Sequence, residues 1–105
     1  MDSQLSSILQ KNPNVIPIWV ISKQIKLKKH KFLINKDLTW GDFIFRGIRK
    51  NIEEKNKNNK DISLFVFINN KILPKNTSLI GEIYNEYKSI DKFLYVTVLQ
   101  ENTFG

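Results

Sequence analysis

Two runs of strand-forming residues sit near opposite ends of the chain, Val15-Ile16-Pro17-Ile18-Trp19-Val20-Ile21 and Phe93-Leu94-Tyr95-Val96-Thr97-Val98-Leu99, with helix patterns spaced between them. β-Branched and aromatic residues fit a pleated, half-buried surface, so both runs read as strands. Pro17 lacks a ladder donor and belongs near a strand end, a bulge or an edge. A second strand is expected from about Lys28 to Ile34, joined to the first as a hairpin through Ser22-Lys23-Gln24, although no Asn-Gly pair marks the turn. Thr39-Trp40-Gly41-Asp42 then carries the S/T-x-x-D/E signature of a helix start. The threonine hydroxyl can accept from the N3 amide, and an aspartate is favourable near the positive helix end. The spacing of Ile44, Phe45, Ile48 and Ile52 predicts a helix with that face on a sheet and with Arg49, Lys50 and Glu53 outward. Gly47 should weaken it by roughly 1 kcal/mol relative to alanine.

After a polar loop, Glu54 to Asp61, the nearly continuous apolar run Ile62 to Ile68 predicts a central strand paired on both sides. Asn69-Asn70 should turn the chain, and Lys71-Ile72-Leu73-Pro74 can be no more than an edge strand. Thr77 is expected to cap a second helix that carries Ile80, Ile83, Tyr84 and Tyr87 on one face. Ahead of the first strand, Leu5, Ile8 and Leu9 follow Ser3 at helical spacing, and Pro13 ends the pattern. The order is helix, β, β, α, β, β, short α, β, which suits one mixed sheet carrying a helix on one face. That is the α+β layout of the β-grasp, or ubiquitin-like, fold, with the first and last strands parallel at the middle of the sheet. Residues 1–12 are read as an N-terminal helical extension, 13–99 as the ubiquitin-like domain and 100–105 as a flexible tail.

At 105 residues one compact domain is expected. The absence of cysteine rules out disulfide staples, thiolate zinc sites and a thiol nucleophile supplied by this chain, and fits a reducing, cytoplasmic setting. No run approaches the roughly 18 apolar residues that span a bilayer, and Met1-Asp2-Ser3 lacks the start of a secretory signal. Lysine and arginine outnumber acids seventeen to ten, a formal charge of +7 that favours anionic surfaces without naming one. His30 is the sole histidine and is read as a solvated surface residue, which leaves no zinc set, no Cys-His pair and no cofactor site. No serine has a histidine partner in any motif, so no catalytic residue and no enzyme is expected. Trp40 and the pair Phe65 and Phe67 are read as core or half-core. The last residue, Gly105, carries the most chemistry: without a Cβ its carboxylate can enter a narrow channel and serve as an unhindered acyl donor.

The strings Asn12-Pro13-Asn14-Val15-Ile16-Pro17-Ile18, Lys29-His30-Lys31-Phe32-Leu33-Ile34, Asp37-Leu38-Thr39-Trp40-Gly41-Asp42-Phe43, Phe65-Val66-Phe67-Ile68-Asn69-Asn70 and Glu101-Asn102-Thr103-Phe104-Gly105 together resemble the autophagy-8 family of ubiquitin-like modifiers. The resemblance runs from Lys11 to Gly105. It implies that Gly105 is adenylated, passed as a thioester through activating and conjugating enzymes, and amide-linked to phosphatidylethanolamine on the autophagosome membrane. Most members carry residues beyond that glycine, which a cysteine protease removes; with Gly105 already last, the step is either unnecessary or complete. The resemblance also implies docking of cargo receptors and adaptors through short peptides with an aromatic and an aliphatic anchor separated by two residues. Such a peptide would add as a strand to the sheet edge at Lys29 to Ile34. The family's aromatic pocket maps onto Ile8, Pro17, Trp19, Lys31, Leu33 and Phe93, and its aliphatic pocket onto Phe32, Ile34, Leu38, Phe43 and about Arg46. Lys29 and Lys31 would attract acidic flanking residues. A monomer is expected, and no nucleic acid.

The sequence departs from the family at several of these positions. Trp19 stands where a smaller aliphatic residue is usual, Asn35 where proline is, Val15 where a ligand-bridging arginine is, and Gln4 where glutamate is. We therefore expect Trp19 to fill part of the aromatic pocket and to shift preference to smaller anchors. Against the family pattern, the helix from Phe43 is expected to carry one extra residue before Ile48-Arg49-Lys50, Met1 to Asn12 to hold one of the family's two N-terminal helices, the hairpin to be shortened and the Glu54 to Asp61 loop lengthened. Two other readings stay open: an autophagy-12-like modifier joined to a protein, and a basic nucleic-acid-binding domain using Lys26, Lys28, Lys29 and Lys31 on phosphates.

Overall fold

A computed structural model of the chain describes residues 9–53, 63–69 and 71–100. Leu9 to Lys11 are helical and stop short of Pro13; Gln4, Ile8, the Glu54 to Asp61 loop, Ile62 and Gly105 lie outside the described residues. Four strands, β1 (Val15–Ser22), β2 (Lys31–Asn35), β3 (Leu64–Ile68) and β4 (Leu94–Gln100), form one sheet in the order β2-β1-β4-β3. β1 pairs antiparallel with β2, parallel with β4, and β4 pairs antiparallel with β3. First and last strands thus lie side by side at the centre, the arrangement expected of the β-grasp fold. Ile16, Ile18 and Val20 of β1 and Leu94, Val96 and Val98 of β4 turn one face of this pair into the core, as the two-residue period of a strand requires. Pro17 is tolerated inside a central strand because the β4 ladder begins only at Ile18 against Leu94, so at Pro17 the strand has just β2 beside it.

Several expectations need correction. The run ending at Ile68 is not a central strand: β3 is the far edge of the sheet, and its burial alternates, with Val66 and Ile68 buried and Phe65 exposed. Its other side carries the isolated bridge between Ile68 and Ile72, which is all that the Lys71 to Pro74 segment contributes, after a turn in which Asn69 adopts a left-handed φ of 53°. β2 starts at Lys31 rather than Lys28 because the residues before it are used elsewhere. Leu27 bridges Ile52, the Lys28 amide donates to the Asn51 carbonyl at 2.7 Å and the Glu53 amide to the Lys26 carbonyl at 3.0 Å. The β1–β2 connection thereby plugs Ile25 and Leu27 into the end of the core.

The first helix begins as the sequence demands. Thr39 and Asp42 form a full capping box, the Asp42 amide donating to Thr39 Oγ1 at 3.1 Å and the Thr39 amide to Asp42 Oδ2 at 3.3 Å. It does not continue as an α-helix: α1 (Trp40–Asp42) passes into a π-helix (Phe43–Ile48) and a 3-10 turn (Arg49–Asn51). The cause is the spacing of the core residues. Phe43 and Ile48 are both fully buried, five residues apart. At 3.6 residues per turn they would sit about 140° apart around the helix; the i→i+5 bonds of a π turn bring them to one face. The same rotation puts Phe45 out, 66 % exposed, against the expectation that it packs on the sheet.

The second helix, α2 (Ile80–Tyr87), is capped differently from the expectation. Thr77 makes no cap; the N-cap is Leu79, with no side-chain hydrogen bond. The orphan amides of the first turn are taken by a main chain instead, Ile80 donating to the Leu38 carbonyl and Gly81 to the Lys36 carbonyl, each at 2.9 Å. That approach needs glycine, since a Cβ on Gly81 would lie 3.0 Å from Lys36 Cβ.

Candidate functional site

The residues expected along the β2 edge divide between the two faces of the sheet. On β2, Lys31, Leu33 and Asn35 are exposed, while Phe32 is buried and Ile34 half-buried beneath them. Cross-strand register sets Trp19 against Lys31 and Pro17 against Leu33, so Pro17, Trp19, Lys31 and Leu33 share the outer face. Phe32, Ile34, Leu38 and Phe43 lie on the inner face, between the sheet and the first helix. Phe32 and Phe43 meet edge to face with centroids 5.6 Å apart, and Phe43 is tilted against Trp40 at the same distance. These rings are 2 % and 1 % exposed, so they form a floor, and the half-buried Ile34 and Leu38 are what this face offers outward. Arg46 is exposed on the π-helix. A strand added to β2 would alternate its side chains between the two faces, and two anchors three positions apart necessarily point to opposite faces.

On the outer face the rings form a row. Trp19 stacks on His30, centroids 6.5 Å apart at 29°, and meets Phe93 edge to face at 6.1 Å; Phe93 in turn is 6.0 Å from Tyr95. Trp19 and Leu33 are 39 % and 42 % exposed, large apolar surface beside Lys31. Pro17 is fully buried. His30 is not the solvated residue the sequence led us to expect. It is half-buried, and its Nδ1 lies 2.8 Å from the Val20 carbonyl; a carbonyl only accepts, so Nδ1 carries the proton. Tyr95 donates its hydroxyl to Asp91, and that hydrogen bond, with burial and the Asp91 charge adding to it, pushes the phenol above its ordinary value. Asp91 also accepts from the Phe93 amide at 3.0 Å, and the Tyr84 hydroxyl donates to the Lys92 carbonyl at 2.7 Å, which fixes the entry to β4.

The lysines take different places. Lys29 lies with its ammonium 4.8 Å above the Phe32 ring, a cation–π contact, whereas Lys31 is on β2 itself facing outward. Among the described residues no group of three His, Asp or Glu side chains is arranged to hold a metal ion, and no helix is long and apolar enough to cross a membrane. Sequence reasoning missed the ring on His30, which depends on which strands become neighbours, and the Tyr95–Asp91 pair, whose four-residue spacing at the entry to β4 was the one local signal for it.

A family model described as "Autophagy protein Atg8 ubiquitin like" matches residues 2–105. Autophagy-related protein 8 of Schizosaccharomyces pombe is 41 % identical over 103 residues, covering 93 % of this chain and 79 % of that protein. Autophagy-related protein 8a of Arabidopsis thaliana is 39 % identical over 107 residues, covering 98 % and 83 %. Among solved structures, Trypanosoma brucei ATG8 superimposes with a TM-score of 0.77 at 31 % identity, over 98 % of this chain and 87 % of that one. Plasmodium falciparum Atg8, solved in complex with a Plasmodium falciparum Atg3 peptide, shares the fold with a TM-score of 0.75 at 23 % identity, over 97 % and 89 %. With the parallel β1–β4 pair at the centre of its sheet and relatives matched along nearly its whole length, the chain belongs to the Atg8 family of ubiquitin-like autophagy proteins.

Proposed function

We propose that this protein is a modifier rather than an enzyme, joined through Gly105 to phosphatidylethanolamine and recruiting cargo receptors and adaptors along β2. The observation that carries the first part is the central parallel pair: β1 holds β4 in register as far as Val98, and β4 leads directly toward Asn102-Thr103-Phe104-Gly105. A packed sheet core then carries the acyl group that activating and conjugating enzymes would take up. Two acyl chains, at about 0.8 kcal/mol per buried methylene, would convert a cytoplasmic protein into one stably anchored on the autophagosome membrane, where one chain gives only reversible binding.

The second part is supported by the division of β2 side chains between two faces, which matches an aromatic and an aliphatic anchor separated by two residues. The aromatic anchor would meet Trp19, Lys31, Leu33 and Phe93 over the buried Pro17, with Ile8 as a further wall; the aliphatic one would meet Ile34 and Leu38 over Phe32 and Phe43, with Arg46 at the rim. Lys29 and Lys31 would favour acidic flanks, and Plasmodium falciparum Atg8, which shares this fold, was solved in complex with a peptide of Atg3. The test is reconstitution with activating and conjugating enzymes and vesicles containing phosphatidylethanolamine. The expected product is a faster-migrating species whose mass is protein plus lipid less water, absent with Gly105→Ala. A conjugate to protein would point to the autophagy-12-like reading, and no thioester at all would sink conjugation.

A further inference from the structure

β4 outruns the strand that supports it. Its parallel ladder with β1 ends at Ser22 against Val98, because β1 turns away there, the Ser22 hydroxyl donating to the Ile25 carbonyl. On the opposite side, β3 goes on pairing as far as Leu64 against Gln100. The two-residue gap on the β1 side is filled by a side chain: the Gln100 amide donates to Gln24 Oε1 at 2.7 Å, across 76 positions of sequence. We propose that Gln24 is a positioning residue for the C-terminal arm, its carboxamide oxygen standing in for the strand carbonyl that β1 no longer supplies. The inference deepens the conjugation reading above and rests on it.

The physical consequence concerns the point at which the chain leading to Gly105 leaves the sheet. Five residues, 101 to 105, follow the pinned amide. At roughly 3.3–3.6 Å per residue they reach about 18 Å from it. Without the Gln24 acceptor Gln100 keeps only its pairing with Leu64 of β3, so the last residue of β4 is held on one side instead of two and parts from the sheet more readily. An enzyme that captures the arm in one extended conformation must then order more chain on binding. A short turn at Ser22 with glutamine two residues later therefore does at Gln100 what a longer β1 would do.

The experiment compares the chain ending on Gly105 with Gln24→Ala and Gln24→Glu, using ATP and purified activating and conjugating enzymes of an Atg8 system. It reads thioester formation as kcat and KM, together with hydrogen exchange at the Gln100 and Val98 amides. Gln24→Ala is expected to speed exchange at Gln100 but not at Val98, and to raise KM about two- to tenfold, the range a single net hydrogen bond supports, with kcat unchanged. Gln24→Glu keeps an acceptor oxygen at the same reach and should restore both readings to near wild type. Wild-type exchange and KM in Gln24→Ala, or a glutamate as impaired as alanine, overturns the positioning role alone. Failure of the wild-type chain to form any thioester overturns the conjugation reading and takes this role with it.

Discussion

Trp19 reaches the outer face of the sheet because its neighbours on β1 with the opposite parity, Ile16, Ile18 and Val20, all face the core. Its indole is then held by two rings, His30 beneath it and Phe93 edge-on. A side chain packed on both sides in this way has little freedom to swing clear of an incoming anchor, and it stands between Lys31 and Phe93, where the aromatic pocket is expected. We predict that acidic peptides carrying a leucine at the first anchor bind more tightly than the same peptides carrying tryptophan, and that Trp19→Ile reverses the order by about tenfold, roughly 1.4 kcal/mol. Calorimetric titration of the two peptides against both proteins checks this; equal or tighter binding of the tryptophan peptide by the wild-type protein would refute it. His30 shows how a residue can be misread at this scale. A histidine between lysines gives no sign of burial, and only the Val20 carbonyl opposite and the indole above explain its place.

At the scale of elements, the start of the first helix was legible and its continuation was not. The capping box is a local device, four residues long, and Thr39 and Asp42 form it as their spacing requires. The π-helix is a compromise between two demands, the backbone bonding of a regular helix and a core that needs both Phe43 and Ile48. The second demand is invisible until the sheet is in place. Gly47 belongs to the same compromise: a Cβ there would lie 3.1 Å from Phe43 Cδ1 and 3.7 Å from Phe32 Cε1. The Phe43 ring is wedged between Phe32 and Trp40 and has no direction in which to yield. Gly47→Ala should therefore destabilise the protein by about 1–3 kcal/mol in denaturant unfolding, although alanine is the better helix former by roughly 1 kcal/mol. A stabilised variant would show that the π-helix relaxes more readily than its packing implies. α2 makes the complementary point, since its first amides are capped by carbonyls from residues 36 and 38, which no pattern within Thr77 to Tyr87 could announce.

Across the whole molecule, the central β1–β4 pair joins the two ends of the described chain, and its buried residues are the closest thing to a keystone in the fold. Ile18, with no exposed surface, pairs with Phe32 on one side and Leu94 on the other. Ile18→Ala should cost about 2–5 kcal/mol in denaturant unfolding, and a loss under 1 kcal/mol would mean the sheet centre can collapse around the gap. Runs of β-branched and aromatic residues, the capping box and the turn at Asn69 were sufficient to place the four strands and two helices in order, because each is decided by residues a few positions apart. The family resemblance and the place of β2 at the sheet edge were legible as well. Long-range competition decided the remainder. β3 became an edge rather than a central strand because the Lys71 to Pro74 segment adds only the Ile68–Ile72 bridge on its far side. β2 was shortened because Lys26 to Lys28 pair with residues 51 to 53. Sequence by itself thus determined which segments could be strands and helices and that the first and last strands lie side by side; the tertiary structure decided where each pairing stops, and therefore which side chains face outward, because every backbone donor and apolar face can be satisfied in more than one way until its neighbour is chosen.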